Sequence, residues 1–429
     1  MRIINLGGAT AIIEHAGKRM LMDPWLDDGI FHGAWYHYPP MNFQLTQLGR
    51  LDYVYISHIH EDHCSAGTIR HINSDAEVII ADKRPNFVER FLDAHGFRFS
   101  RVHKVKPRTP VRIAPDMLVD VIEADPANEM AYSVDSAMVL SWGGATIYNA
   151  NDCQPYPDAI AYIRAHYQLD LALLPYSGGS GYPSCYLNLD DTQKTLRAAQ
   201  IRASRLEHFY VVAQALAAKR VMPFADQYVV AGSRSHLNRF ISHWPCPGVV
   251  EGAFAEKVTS SKLLLLNSGQ SFDFDDEKIR PDVPYQHYTE DDRETYIRQE
   301  LQDKRYDHEH FSLNPGVSLA RLVRYARQRL WQEQERRKSF PDWNIYIDVP
   351  ERGERFLIPL GSPEVTDLDT QSALEGRYLR IAMPATLASL ILIGHVSINI
   401  ADAALFLDYE RCPDVYEPEL YVLLNLLRC

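Results

Sequence analysis

Apolar and polar positions alternate through much of the first half of this 429-residue chain. Met1 to Asn5, Ala11 to Glu14 and Arg19 to Met22 read as short strands set around Gly7-Gly8. Leu51 to Ile56 is β-branched and aromatic, and predicts a strand that ends on a run of histidines. Between those histidines and residue 150 the pattern predicts strands at Glu77 to Ala81, Met117 to Ala124, Ser136 to Trp142 and Thr146 to Asn149, with one helix, Arg84 to His95. Leu171 to Leu174 is a further short strand, Leu189 to Lys219 a long helix, and Leu263 to Leu266 a closing strand before Asn267-Ser268-Gly269.

The pattern then changes. Phe272 to Asn314 is polar and acidic and reads as a connector with short helices. Val317 to Arg337 predicts a helix with Leu319, Leu322, Val323 and Leu330 on one face and arginines on the other. From Trp343 onward, alternation around Tyr346 to Val349 and Phe356 to Ile358 gives way to helical stretches at Ala385 to Leu392 and Leu420 to Leu427. This is the pattern of a small α+β module, similar to sterol-carrier-like modules, whose apolar stripe is expected to be core rather than a lipid tunnel. The expected division is 1–275, 276–342 and 343–429.

Composition narrows the classes. A formal net charge of -12 without a long basic run argues against a nucleic-acid partner. The six cysteines form no CxxC pair and Met1 leads straight into a strand-like segment, so a cytoplasmic protein with reduced thiols is expected. The longest apolar run, Ile381 to Gly394, is interrupted by Pro384, Thr386 and Ser389 and is too short to span a bilayer.

The chemistry is concentrated in Ser57-His58-Ile59-His60-Glu61-Asp62-His63. Side chains two apart on an extended chain point the same way, so His58 and His60 can grip one ion. If the chain turns into a helix after His60, Asp62 and His63 can face a second. Neutral imidazoles with carboxylates suit zinc, iron or manganese rather than calcium. An HxHxDH run after a strand resembles the metallo-β-lactamase superfamily, which implies an αββα sandwich holding two adjacent metals.

That resemblance assigns further roles. It implies that Asp23, in Asp23-Pro24-Trp25-Leu26, orients a metal-binding histidine, and that Asp152, at the end of the Thr146 to Asn149 strand, bridges the metals. The superfamily also places a histidine between these points, but none occurs between His103 and Asp152, so Glu123 or Asp125 must serve if that position is filled. The last ligand is expected to be His236, with Asp226 as the fallback.

The Asp23-Pro24-Trp25-Leu26 run, the loop Ser177-Gly178-Gly179-Ser180-Gly181-Tyr182-Pro183 and Met222-Pro223-Phe224-Ala225-Asp226 are similar to the catalytic region of CMP-N-acetylneuraminic acid hydroxylases and their bacterial relatives. The three glycines of that loop leave backbone amides open to a bound group. The family's Rieske domain needs CxH and CxxH ligands, and no cysteine here is followed two residues later by histidine. Electrons would come from a separate protein.

The expectation is therefore a non-haem diiron oxygenase that hydroxylates a small polar molecule with dioxygen and an external electron donor. His58, His60 and Glu123 hold one iron, Asp62, His63 and His236 the other, and Asp152 bridges. Tyr176, Tyr182 and His37 are pocket candidates, with His32 nearby in the chain. The alternative fills the same cage with zinc or manganese for hydrolysis of an ester, lactone or phosphoester. A third reading is a metal-free binding or scaffold protein.

Overall fold

The computed structural model describes residues 1–225, 227–313 and 316–429. Two sheets face each other. The first has eight strands in the order Lys278–Arg280, Ser271–Asp273, Arg2–Gly7, Thr10–His15, Lys18–Met22, Tyr53–Tyr55, Glu77–Ala81, Arg101–Val105. The second has seven, in the order Lys262–Leu263, Arg220–Phe224, Leu171–Pro175, Ala145–Asn149, Ser136–Trp142, Met117–Glu123, Val111–Ala114.

The alternation seen in the sequence sorts side chains between layers. Ile3, Ile13, Met20 and Met22 of the first sheet meet Val119, Val121, Met138 and Leu140 of the second in a closed core. The intervening residues face outward. Ile12, Leu21, Val54 and Val78 pack under Val88 and Leu92 of the helix Phe87–Ala94. Ala137, Val139, Ala172 and Val221 pack under Ile163, Phe209 and Ala213 of the helices Pro157–His166 and Asp191–Leu216. Helix, sheet, sheet, helix is the αββα arrangement the histidine run implied.

Several boundaries differ from expectation. The helix expected from Arg84 begins at Phe87, after Pro85, with the Asn86 side chain accepting from Glu89 N. Two further helices, Ala66–Ile69 and Glu129–Val134, lie in the stretch where a single helix was expected, and the second of them buries no residue, so it carries no apolar stripe to be read. Strands Arg101–Val105 and Val111–Ala114, also not expected, bury only His103 and Val105 between them.

The chain after residue 343 forms a five-stranded mixed sheet, order Thr366–Asp369, Glu354–Pro359, Asn344–Val349, Tyr378–Ala382, Asp408–Cys412. Its helix Ala385–Leu392 buries Leu387, Ala388 and Ile391 in a cluster that also holds Trp25, Phe31 and Trp35 of the first unit. The C-terminal module is thus packed against the segment that follows the strand Lys18–Met22. Among the described residues no helix is long and apolar enough to cross a membrane.

Candidate metal centre

Strands Lys18–Met22 and Tyr53–Tyr55 pair in parallel, so both chains leave the first sheet at the same edge. Asp23 follows one and Ser57-His58 the other. Ser57 donates to Asp23 twice, backbone N to Oδ1 at 2.7 Å and Oγ to Oδ2 at 2.9 Å. Asp23 sits at φ 45°, a conformation costing on the order of 1–3 kcal/mol for a non-glycine residue, which these bonds offset.

The chain does not enter a helix after His60. It turns, with His63 N and Cys64 N both donating to the His60 carbonyl at 2.9 and 2.8 Å, and the next helix starts at Ala66. The turn brings the wholly buried His63 ring over Asp23, and Nδ1–H donates to Asp23 Oδ2 at 3.0 Å. With Nδ1 so used, Nε2 is the nitrogen that faces Asp62 Oδ2 at 3.3 Å and Asp152 Oδ2 at 3.2 Å. His58 is set by the same relay. Ser57 Oγ, having given its proton to Asp23, accepts from His58 Nδ1–H at 2.9 Å, which turns His58 Nε2 toward His60 Nδ1, 2.9 Å away.

The second sheet supplies carboxylates from its matching edge. Asp152 follows Ala145–Asn149, and the antiparallel partner strand Ser136–Trp142 begins at that same edge, because Met138 pairs with Asn149. Asp135 immediately precedes that strand. Ser136 Oγ donates to the Ser57 carbonyl at 2.8 Å, tying the start of one sheet's strand to the histidine run of the other. Lys83 Nζ holds the end of the preceding helix through the Tyr132 and Asp135 carbonyls. Two groups result whose donor atoms all lie within 4.8 Å of one another: His58, His63 and Asp152, and His58, His60 and Asp135. Asp135 was absent from the sequence-based set.

The electrostatics fit a cation. Burial, with His63 and His60 nearby, pushes His58 well below its ordinary pKa and keeps the ring neutral, the form that binds metal. Burial pushes the Asp135 carboxyl up to about 6. Burial opposes charge on His63, yet Asp152 and Asp62 carry its pKa well above the usual value, so this pair of carboxylates calls for positive charge beside them. His63 Nε2 and Asp152 Oδ1 are buried without a hydrogen-bond partner. A divalent ion held between them would give both of these atoms a partner.

Other predicted residues lie elsewhere. Glu123 ends its strand opposite Ser136, but its Oε1 is taken by Arg108 Nη2 at 2.7 Å and by the Tyr156 hydroxyl at 3.0 Å, and it belongs to neither donor group. Its Oε2 is buried without a hydrogen-bond partner. His236 is exposed, with Nδ1 on the Ser233 carbonyl at 3.0 Å, and is likewise outside both groups. Asp226 lies outside the described residues. Asp125 caps a turn by accepting from Ala127 N at 2.9 Å. Tyr176 is wholly buried in the outer helical core, and His37 is buried with its ring stacked 3.7 Å from Trp25 and its Nδ1 on Asp28 Oδ1 at 2.8 Å. His32 faces Asp307.

Tyr182 does line a cleft of about 480 Å³, together with Gly179, Asn399, Asp402, Arg411 and Tyr421. The glycine loop borders this cleft but is not open to an anion. Gly181 N faces Asp402 Oδ2 at 3.5 Å, and a Cβ at Gly181 would come within 2.5 Å of Asp402 Oδ1. Gly179 is equally close-packed, since a Cβ there would meet the Tyr228 hydroxyl at 2.0 Å.

Parts of the chain are similar to known proteins. A protein of Mycobacterium tuberculosis (strain ATCC 25618 / H37Rv) that bears the name Rieske 2Fe-2S iron-sulfur protein is 29% identical over 245 residues, 56% of this chain and 46% of its own length. The cytidine monophosphate-N-acetylneuraminic acid hydroxylase of Cricetulus griseus is 27% identical over 239 residues, 53% of this chain and 40% of its own. The chain therefore spans less than half the length of these two relatives. A solved metallo hydrolase of the archaeon Ignicoccus hospitalis KIN4/I superposes with a TM-score of 0.44 at 16% identity, covering 64% of this chain and 98% of that one. Residues 18–209 match the family model described as the beta-lactamase superfamily domain. The stretch that carries the histidine run, Asp135 and Asp152 is a beta-lactamase superfamily domain.

Proposed function

We propose that this protein is a metal-dependent oxygenase that hydroxylates a small polar molecule at a dinuclear iron centre. His58, His60 and Asp135 would hold one iron, and Asp62, His63 and Asp152 the other. The observation that carries the reading is the donor set. Each of the two groups joins two imidazoles to one carboxylate, with His58 common to both, and Asp62 Oδ2 lies 3.3 Å from His63 Nε2. Two histidines with one carboxylate are the set that non-haem iron oxygenases use. The hydroxylase name of one relative supports the same reading.

Iron held by these residues would supply, when reduced, the site at which dioxygen binds. The overall balance is one C–H bond converted to C–OH, with dioxygen, two electrons and two protons consumed and one water released; the electrons come from an external donor. The chain's own residues do the positioning. Asp23 keeps His63 in the Nε2-facing tautomer, and Ser57 does the same for His58. Substrate occupies the cleft bounded by Tyr182, whose hydroxyl is held by Asp414 Oδ2 at 3.0 Å, and by Arg411. The metal centre belongs to a first unit, residues 1–275, whose sheet the strand to Arg280 completes; 276–342 connects it to the module at 343–429.

Elemental analysis and Mössbauer spectroscopy of the full chain test the proposal. About two coupled irons per chain, with dioxygen consumption that depends on reductant, are expected. Two zincs retained after growth in iron-rich medium would sink it and direct the search to hydrolysis.

A further inference from the structure

Both donor groups contain His58, but the rings beside it are held in different ways. His63 is held from within the sandwich by Asp23. The outer nitrogen of His60, Nε2, is met by the side-chain amide of Asn399 through Nδ2 at 3.1 Å, across 339 positions of sequence. Asn399 stands in the first turn of the helix Ile398–Ala403, whose N-cap Ser397 accepts from Ile400 N at 3.1 Å.

That helix is fixed to the first unit on several sides. Trp35 Nε1 donates to the Ala403 carbonyl at 2.8 Å. Arg234 Nε donates to the Leu405 carbonyl at 2.7 Å, and its Nη2 pairs with Asp408 Oδ1 at 2.6 Å. Gly181 leaves just enough room for Asp402. Backbone bonds Leu187 N to Tyr409 O at 2.7 Å and Tyr409 N to Cys185 O at 2.8 Å complete the seam. The amide is therefore delivered to His60 by a docked element rather than by a free loop.

We infer that Asn399 is a positioning residue of the metal centre, through which the C-terminal module sets His60 with Nδ1 toward the ion. The inference rests on the metal-site reading above. His60 Nδ1 is the nitrogen that faces His58 Nε2, so an ion shared by the two rings takes Nδ1 and leaves the proton on Nε2. An amide presents either end after a half-turn about its last bond, and against an Nε2–H the favourable end is Oδ1. Asn399 then accepts from His60, fixes the tautomer and raises the basicity of Nδ1, as outer partners of ligating imidazoles do. The first unit alone would hold a complete His63 pocket and an unoriented His60.

The test is anaerobic titration of cobalt(II) into the metal-free full-length chain, followed by visible absorption. Wild type is expected to take two equivalents. Asn399→Ala should weaken one of them by about 10–100-fold and leave the other unchanged. Asn399→Asp keeps an acceptor toward Nε2–H and should restore the weakened equivalent. Asn344→Ala, which removes an amide bond to the Glu375 carbonyl in the same module, controls for general loosening and should leave both equivalents intact. Wild-type affinity at both sites in a folded Asn399→Ala chain overturns the inference alone. So does equal loss in Asn399→Ala and Asn344→Ala. Failure of wild type to bind any cobalt overturns the metal reading itself, and this inference with it.

Discussion

The two sides of the candidate centre are built by opposite means. The His63 side is wholly buried, and every group that fixes it, Asp23, Ser57 and Asp152, comes from the ends of sandwich strands. The His60 side is half-buried, takes Asp135 from a strand start, and is reached from outside by an amide of the C-terminal module. Rigidity that one side obtains from low dielectric and short-range hydrogen bonding, the other obtains by docking a second body against it. The first arrangement tolerates changes at the seam between units, and the second depends on that seam.

The most damaging change should be Asp23→Ala. It removes the partner of His63 Nδ1 and of two Ser57 donors in a fully buried place, and a cost of about 3–5 kcal/mol is expected by chemical denaturation, together with loss of metal on the His63 side. Asp135→Asn should spare the fold and remove about one metal equivalent. Glu123→Gln, which weakens the pairing to Arg108, should leave the metal content at the wild-type level, so elemental analysis of the pair decides between the two carboxylates. Equal metal loss in both variants would erase the distinction between the two carboxylates.

At the seam, Arg234→Met removes bonds to the Leu405 carbonyl and to Asp408. A loss of about 2–3 kcal/mol is expected, with cobalt affinity falling on the His60 side only. A smaller effect should appear with pH. His243 donates Nε2–H to the Tyr228 carbonyl at 3.0 Å, and its ring stacks on Tyr228, which stacks in turn on Trp35 beneath the module. Burial pushes its pKa from 6.5 down to about 3. The native state holds this ring neutral while the unfolded state takes the proton, so its stabilising contribution is full above pH 6.5 and is lost as pH falls toward 3. Metal-free protein should lose up to about 1.4 kcal/mol per pH unit through this group. His243→Gln, which keeps a donor and cannot titrate, should flatten that part of the curve in urea unfolding at successive pH values.

Much of the His63 side was legible in the sequence, because its chemistry is local: a strand of alternating residues, then imidazoles and carboxylates within one turn. The sandwich was legible for the same reason, since alternation at Ile12-Ile13 or Met138-Val139 assigns neighbours to opposite layers. Asp135 was not. Sequence order favoured Glu123 as the strand-end carboxylate, and only antiparallel pairing reveals that the start of the next strand shares its edge. What separates the two is Arg108, which engages Glu123 from a loop with no readable pattern. The helix that delivers Asp135 buries nothing and so had no apolar period. Asn399 leaves no short-range trace at all, because its meaning exists only once two units are docked.

The distance along the chain between His60 and Asn399 also imposes an order in time. On a ribosome, where the amino-terminal part of a protein emerges and folds first, both sheets around His63 can close once the strand to Arg280 has cleared the tunnel. The partner of His60, Asn399, emerges only after the connector and most of the C-terminal module have been made. A nascent chain thus carries one finished pocket and one unfinished pocket during that interval, and paired loading of the centre waits for the C-terminal module to arrive.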